Sequence, residues 1–235
     1  MNAESSVDGL IQELVTANHV LANEKVLDAF GHVSVRHPER PGHFLMSCSR
    51  APELVRAEDI LEYDARSQPV KAPTESLYIE RFIHGEIYRA RPDVHAICHH
   101  HAAAVMPFCI SGTAIVPVYQ HGAFMGENVP FWDSQDEFGD TNLLLSNTEH
   151  GASLARALGP HWCVLMRRHG ATVVARSLTE LVFRAITICI NAQFQFQAQL
   201  QGHVDRLTPG EIQKASQVAP SALVRARDYW KSRLK

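Results

Sequence analysis

The chain has 235 residues, 46% hydrophobic and 20% charged, with a formal net charge of −3. That composition fits one cored domain over residues 1–235 and argues against disorder. It also excludes the basic surface of a nucleic-acid binder or a membrane-surface protein. The opening MNAESSVDGLIQEL carries acids and no basic leader segment, and no apolar run is long enough to span a bilayer. Cys48, Cys98, Cys109, Cys163 and Cys189 form no C-x-x-C pair and sit mostly in apolar runs. Reduced thiols in a cytoplasmic protein are the expectation.

In chain order, Val7, Leu10, Ile11, Leu14 and Val15 repeat at helical spacing, which predicts a helix over 7–30 that ends at Gly31. HVSVRH and HFLMSC alternate as two strands around the turn-rich HPERPGH. ILEYD and QPVK predict a hairpin across Ala65–Ser67. Pro73–Thr74 opens a predicted helix to about Ala90, with a stripe of Phe82, Ile83 and Ile87. VHAICHH is a short apolar strand, and a helix is expected from Ala102. AIVPVYQ, WCVLMRR and ATVVAR are further predicted strands, the last two joined across His169–Gly170. Residues 178–201 and the C-terminal SALVRARDYWKSRLK read as helices. Strands and helices mix throughout, so the class is α/β or α+β.

Fourteen histidines are many for this length, and three stand together in AICHHHAAAV. On a strand, side chains alternate faces, so His99 and His101 project together and His100 points away. Two imidazoles at i and i+2 suit a shared divalent metal; the alternative is an ordinary pair of packed or solvated histidines. His169, at a turn between two apolar strands, is a candidate third ligand or a solvated turn residue. Glu80 and His84 lie four apart on a predicted helix just before the H-x-H strand, with Glu75 and Glu86 as competing carboxylates.

Taken together, GHVSVR (31–36), ERFIHGEIYRARPDVHAICHHH (80–101) and VLMRRHG (164–170) resemble the class II aldolase/adducin family. The resemblance covers nearly the whole chain. It implies a three-layer α/β/α sandwich with a central mixed, mainly antiparallel sheet. It implies His99, His101 and His169 as ligands of one divalent metal per subunit (Zn, Mn, Fe or Co). It makes Glu80 the catalytic carboxylate, able to ligate when substrate is absent. It also implies a homotetramer with active sites at its interfaces.

The departures from the family's sugar-phosphate aldolases are informative. Gly31-His32-Val33-Ser34 replaces their Gly-Asn-x-Ser, and MSCSRAPELV lacks the glycine of a phosphate-binding backbone nest. Arg50 suits a carboxylate instead, unless it pairs with Glu53 or Asp59. These features resemble the family's branch of aromatic decarboxylases. The expected activity is therefore metal-dependent loss of CO2 from a hydroxylated aromatic dicarboxylate, of the 3,4-dihydroxyphthalate or 3-hydroxy-2-methylpyridine-4,5-dicarboxylate type. The alternative is an aldolase acting on a sugar phosphate or hydroxy-acid; a non-enzymatic adducin-like scaffold stands behind both. In the decarboxylase reading Glu80 or His84 delivers the proton, and His32, Ser34, Arg36 and Arg50 bind substrate. Tyr229 near the C-terminus is a further candidate proton donor, and Tyr119 and His121 are candidates to reach a neighbouring subunit's site.

Overall fold

The computed structural model describes residues 6–234. Its centre is a seven-stranded sheet in the order β3-β2-β1-β4-β7-β6-β5. The strands are β1 (His32–Arg36), β2 (Phe44–Ser47), β3 (Ile60–Tyr63), β4 (Ala96–His100), β5 (Phe131–Trp132), β6 (Cys163–Met166) and β7 (Gly170–Ala175). Every neighbouring pair is antiparallel except β5–β6.

The helices are α1 (Val7–Asn23), α2 (Arg81–Ala90), α3 (Met106–Ser111), α4 (Gln135–Phe138), α5 (Thr148–Leu158), α6 (Leu178–Gln201), α7 (Pro209–Ala215) and α8 (Pro220–Lys231). Strand alternation divides the core in two. Val33, Val35, Ala96, Cys98, Leu165 and Val173 face a layer containing α1 and α6. Phe44, Met46, Ile97, Val164 and Val174 face Ile83 and Ile87 of α2 and Leu154 and Leu158 of α5. This is the expected α/β/α sandwich around a mixed, mainly antiparallel sheet. Each such buried aliphatic side chain contributes about 1.5–3 kcal/mol through burial. On the second face, α2 and α5 pack closely because residue 151 is glycine: a Cβ there would stand 2.5 Å from the Phe82 carbonyl oxygen.

Three expectations need correction. The first helix stops at Asn23, because Lys25 adopts a left-handed φ of 61° and the amides of Val26 and Leu27 both turn back to Leu21 O. Asp28 Oδ1 then accepts from Phe30 N and Gly31 N, a local turn that delivers the chain into β1. The second helix starts at Arg81, not at Pro73–Thr74. The preceding segment is pinned instead by side chains, with Arg81 donating to Ser67 O and Tyr78 O. The 60–71 hairpin is formed but short: it holds one bridge, Tyr63 with Pro69, flanked by bonds from Asp64 N to Gln68 O and from Val70 N to Glu62 O.

AIVPVYQ joins no sheet. Amides of α6 take the place of a neighbouring strand: Asn191 bonds Val116 O and Val118 N, and Gln195 bonds Ala114 O and Val116 N. Helix α5 and strand β5 carried no expectation from the sequence. No helix among the described residues is long and apolar enough to cross a membrane.

Candidate metal centre

Strand β4 lies between β1 and β7, and its alternation places His99 on the α2/α5 face. His101 follows the strand end, where its Nε2 comes 3.0 Å from His99 Nε2. His169 comes from the β6–β7 hairpin and brings its Nε2 to 3.2 Å from His99 Nε2. Two features allow that hairpin to approach. Arg168 takes a left-handed φ of 55°. Gly170 leaves room where a Cβ would stand 2.3 Å from the His100 carbonyl oxygen. Glu80 sits immediately before α2, with Oε2 3.5 Å from His99 Nε2 and Oε1 3.4 Å from His169 Nε2.

One ligand atom from each of these four residues lies within 4.8 Å of the others. A tetrahedral ion with M–N bonds of about 2.0–2.1 Å requires N···N edges of about 3.3–3.4 Å. The spacing here is close to that. The outward ring nitrogens agree. His169 Nδ1 meets Leu143 O at 2.7 Å, and His101 Nδ1 meets Asp28 Oδ1 at 3.3 Å. Carbonyl and carboxylate oxygens only accept, so both rings carry their N–H at Nδ1 and turn an Nε2 lone pair inward. His99 Nδ1 lies 3.2 Å from Thr172 Oγ1. Leu145 N donates to Glu80 Oε1 at 3.1 Å and fixes the carboxylate.

The electrostatics favour neutral imidazoles at the deepest position. Burial, and then the neighbouring histidines, hold His99 well below the ordinary histidine range. Burial also opposes a charge on His169, but the Glu80 hydrogen bond and charge outweigh it and raise its basicity. A carboxylate that attracts a proton to this cluster also attracts a cation. Three neutral imidazoles and one carboxylate therefore fit a divalent ion, without selecting among Zn, Mn, Fe and Co.

Of the other expected site residues, only His32 stands next to these four; the rest are bonded within the protein or placed apart from the cluster. His84 is fully buried, with Nε2 2.7 Å from His32 Nδ1 and Nδ1 2.6 Å from Ser34 Oγ. Neither nitrogen is free to meet a substrate. Ser34 is also sealed, between His84 and the Tyr88 hydroxyl at 2.8 Å. Arg36 spends its guanidinium on the carbonyls of Val94, Tyr88 and Arg91. Arg50 bonds Leu54 O and pairs with Asp59 at 3.2 Å. His32 does stand beside the cluster, its ring 5.1 Å from that of His99. Tyr229 is 56% exposed on α8, which packs with α6 and α1 on the opposite side of the sheet. Tyr119 and His121 contact Phe194 and Phe183 of α6, also away from the cluster of their own chain. Glu75 is exposed, and Glu86 pairs with Arg89.

Asp28, Thr172, Leu143, Leu145 and Tyr88 support the site and were not singled out in the sequence. Only Asp28 left a signal: an aspartate three residues before a glycine is a turn former.

This sheet order places the Glu80/His99/His101/His169 cluster at the end of β4, next to the start of α2. The chain belongs to the class II aldolase family: residues 12–196 match the family described as Class II Aldolase and Adducin N-terminal domain. Among curated proteins it is 37% identical over 208 residues to Decarboxylase tropJ of Talaromyces stipitatus, covering 83% of this chain and 77% of that one. It is 28% identical over 204 residues to 3,4-dihydroxyphthalate decarboxylase of Arthrobacter keyseri, covering 83% and 80%. Among solved structures, the L-fuculose 1-phosphate aldolase from Glaciozyma antarctica superposes with a TM-score of 0.80 at 21% identity, covering 96% of this chain and 88% of that one. At that identity the likeness is one of fold.

Proposed function

We propose that this chain is a divalent-metal-dependent decarboxylase of a hydroxylated aromatic dicarboxylate, of the 3,4-dihydroxyphthalate or 3-hydroxy-2-methylpyridine-4,5-dicarboxylate type. One observation carries the reading: a cluster of buried His99 and Glu80 with half-buried His101 and His169, in a chain whose similar proteins include decarboxylases. A divalent ion held by these residues would supply Lewis-acid stabilisation of the charge that loss of CO2 leaves on the ring.

The chain's own groups do the rest. His99, His101 and His169 hold the ion as neutral ligands, each ring oriented through its other nitrogen. Glu80, steadied by Leu145 N, moves the proton that replaces the lost carboxyl group. The active unit in this reading is a homotetramer with active sites at its interfaces, acting on a small aromatic carboxylate.

The test is CO2 release by metal-reconstituted protein on a panel of ortho-hydroxy aromatic dicarboxylates, with dihydroxyacetone phosphate plus aldehydes run in parallel. Chelator-sensitive CO2 release from one aromatic acid is the expected result. Aldol turnover without CO2 would overturn the reading in favour of an aldolase.

A further inference from the structure

Behind the cluster, four polar groups form one buried line. His32 Nδ1 lies 2.7 Å from His84 Nε2, His84 Nδ1 lies 2.6 Å from Ser34 Oγ, and Ser34 Oγ lies 2.8 Å from the Tyr88 hydroxyl. His32, Ser34 and Tyr88 are each at most 5% exposed, and His84 is fully buried. The line begins beside the histidine cluster, since His32 on β1 is directly opposite His99 on β4.

A chain of groups that each carry one mobile proton has two possible polarities. The far end selects between them. A buried tyrosine hydroxyl must donate to something. Its two choices are Ser34 Oγ at 2.8 Å and His95 O at 3.4 Å. The His95 carbonyl can accept a second bond beside the one from Arg36 N, but 3.4 Å is long for an O–H···O bond and 2.8 Å is ordinary, so the Ser34 contact is the stronger acceptor. Tyr88 therefore donates to Ser34. Ser34 then donates to His84 Nδ1, and His84 Nε2–H donates to His32 Nδ1. His32 is left with its hydrogen on Nε2. The Arg36 guanidinium, 4.7 Å over the Tyr88 ring, holds the end of the line and favours donation by the hydroxyl. Among the described residues the sealed side-chain atoms without a partner are Asn18 Oδ1, Ser47 Oγ and His100 Nε2, so His32 Nε2 is not closed off in that way.

We infer that Tyr88, Ser34 and His84 are positioning residues that fix His32 as its Nε2–H tautomer, and that this N–H donates a hydrogen bond to a carboxylate or phenolate oxygen of the substrate beside the metal cluster. The substrate class rests on the proposed function; the tautomer does not. The inference gives His84 and Ser34 work that their burial allows, and leaves His32 alone of the line to touch substrate.

Zinc-loaded protein labelled with nitrogen-15 histidine, read by long-range proton–nitrogen correlation, tests the first half. His32 is assigned by the signals missing from His32→Gln. A protonated Nε2 and a bare Nδ1 are expected; the reverse overturns the inference, whatever the activity. Phthalate, added until the other site resonances stop moving, is expected to shift the His32 Nε2 proton; an unmoved proton overturns the donor role.

Kinetics provide the second half. Ser34→Ala should lower kcat/KM by about tenfold or more, the worth of one well-placed hydrogen bond, with metal content unchanged. Ser34→Thr, which keeps the hydroxyl, should recover most of it; equal losses in both variants overturn the role of the line. If the wild-type protein releases no CO2 from any aromatic acid, the proposed function fails while the nitrogen spectrum still decides the tautomer.

Discussion

His99 and His100 are neighbours on one strand, yet they occupy opposite faces of the sheet and have opposite environments. His99 meets two other imidazoles, a carboxylate and the Thr172 hydroxyl. His100 is equally buried against the α1/α6 layer, with Nδ1 accepting from Ala102 N and Nε2 unpartnered. Burial alone does not make a histidine functional. What distinguishes the two is whether the ring nitrogens find an arrangement that a cation completes. Packing on the α1/α6 face is apolar, so a polar atom there is a cost of about 1–3 kcal/mol.

The largest expected effect is on the His99 side. His99→Ala should abolish metal retention, measured by elemental analysis after dialysis, and reduce activity to background. Glu80→Gln should keep the metal but lower kcat by about 10²–10⁴-fold, the usual worth of a positioned acid or base. Full activity in that variant would remove Glu80 from the chemistry. Gly170→Ala forces a Cβ against the His100 carbonyl. A loss of about 1–3 kcal/mol in denaturant unfolding is expected, as for other overpacked sites, together with weaker metal binding through the displaced His169.

His100→Leu should be the mildest. It should leave metal content unchanged and alter stability by about 1 kcal/mol or less at pH 7, with a gain more consistent with the unpartnered Nε2. It should also change the acid limb. Burial pushes both His84 and His100 down to about 3, from an ordinary value of 6.5. Below 6.5 the unfolded chain takes up protons that these folded rings refuse. Stability conferred by their neutral forms is therefore complete above about pH 6.5 and falls as pH drops from there toward 3. Each such ring contributes a slope of up to about 1.4 kcal/mol per pH unit. Unfolding of His100→Leu between pH 6 and pH 4 should be less steep by up to that amount; an unchanged slope would exclude the burial of His100 as a source of acid sensitivity.

Much of this was legible in advance because it depends on short-range alternation. The faces of His99 and His100 follow from the strand period, and the stripe of Ile83 and Ile87 follows from the helix period. The resemblance added Glu80 over Glu75, which spacing alone left open. What was not legible depends on where side chains spend their hydrogen bonds. Arg36 and Arg50 look like carboxylate ligands in a string of letters, and in the fold they tie down backbone carbonyls and Asp59. AIVPVYQ has the composition of a strand, but its backbone is bonded by Asn191 and Gln195, which lie some eighty positions along the chain. The short β5 has too few residues to show a period.

One loop reaches the site twice. Leu143 O receives the Nδ1–H of His169, and two residues later Leu145 N holds Glu80 Oε1. Leu143 takes a left-handed φ of 66°, and Asn142 and Thr141 side chains bond the amides that follow them, so the loop keeps its shape through its own contacts. A ligand and the acid thus share one mount. Any shift of residues 141–145 therefore moves the His169 ring and the Glu80 carboxylate together.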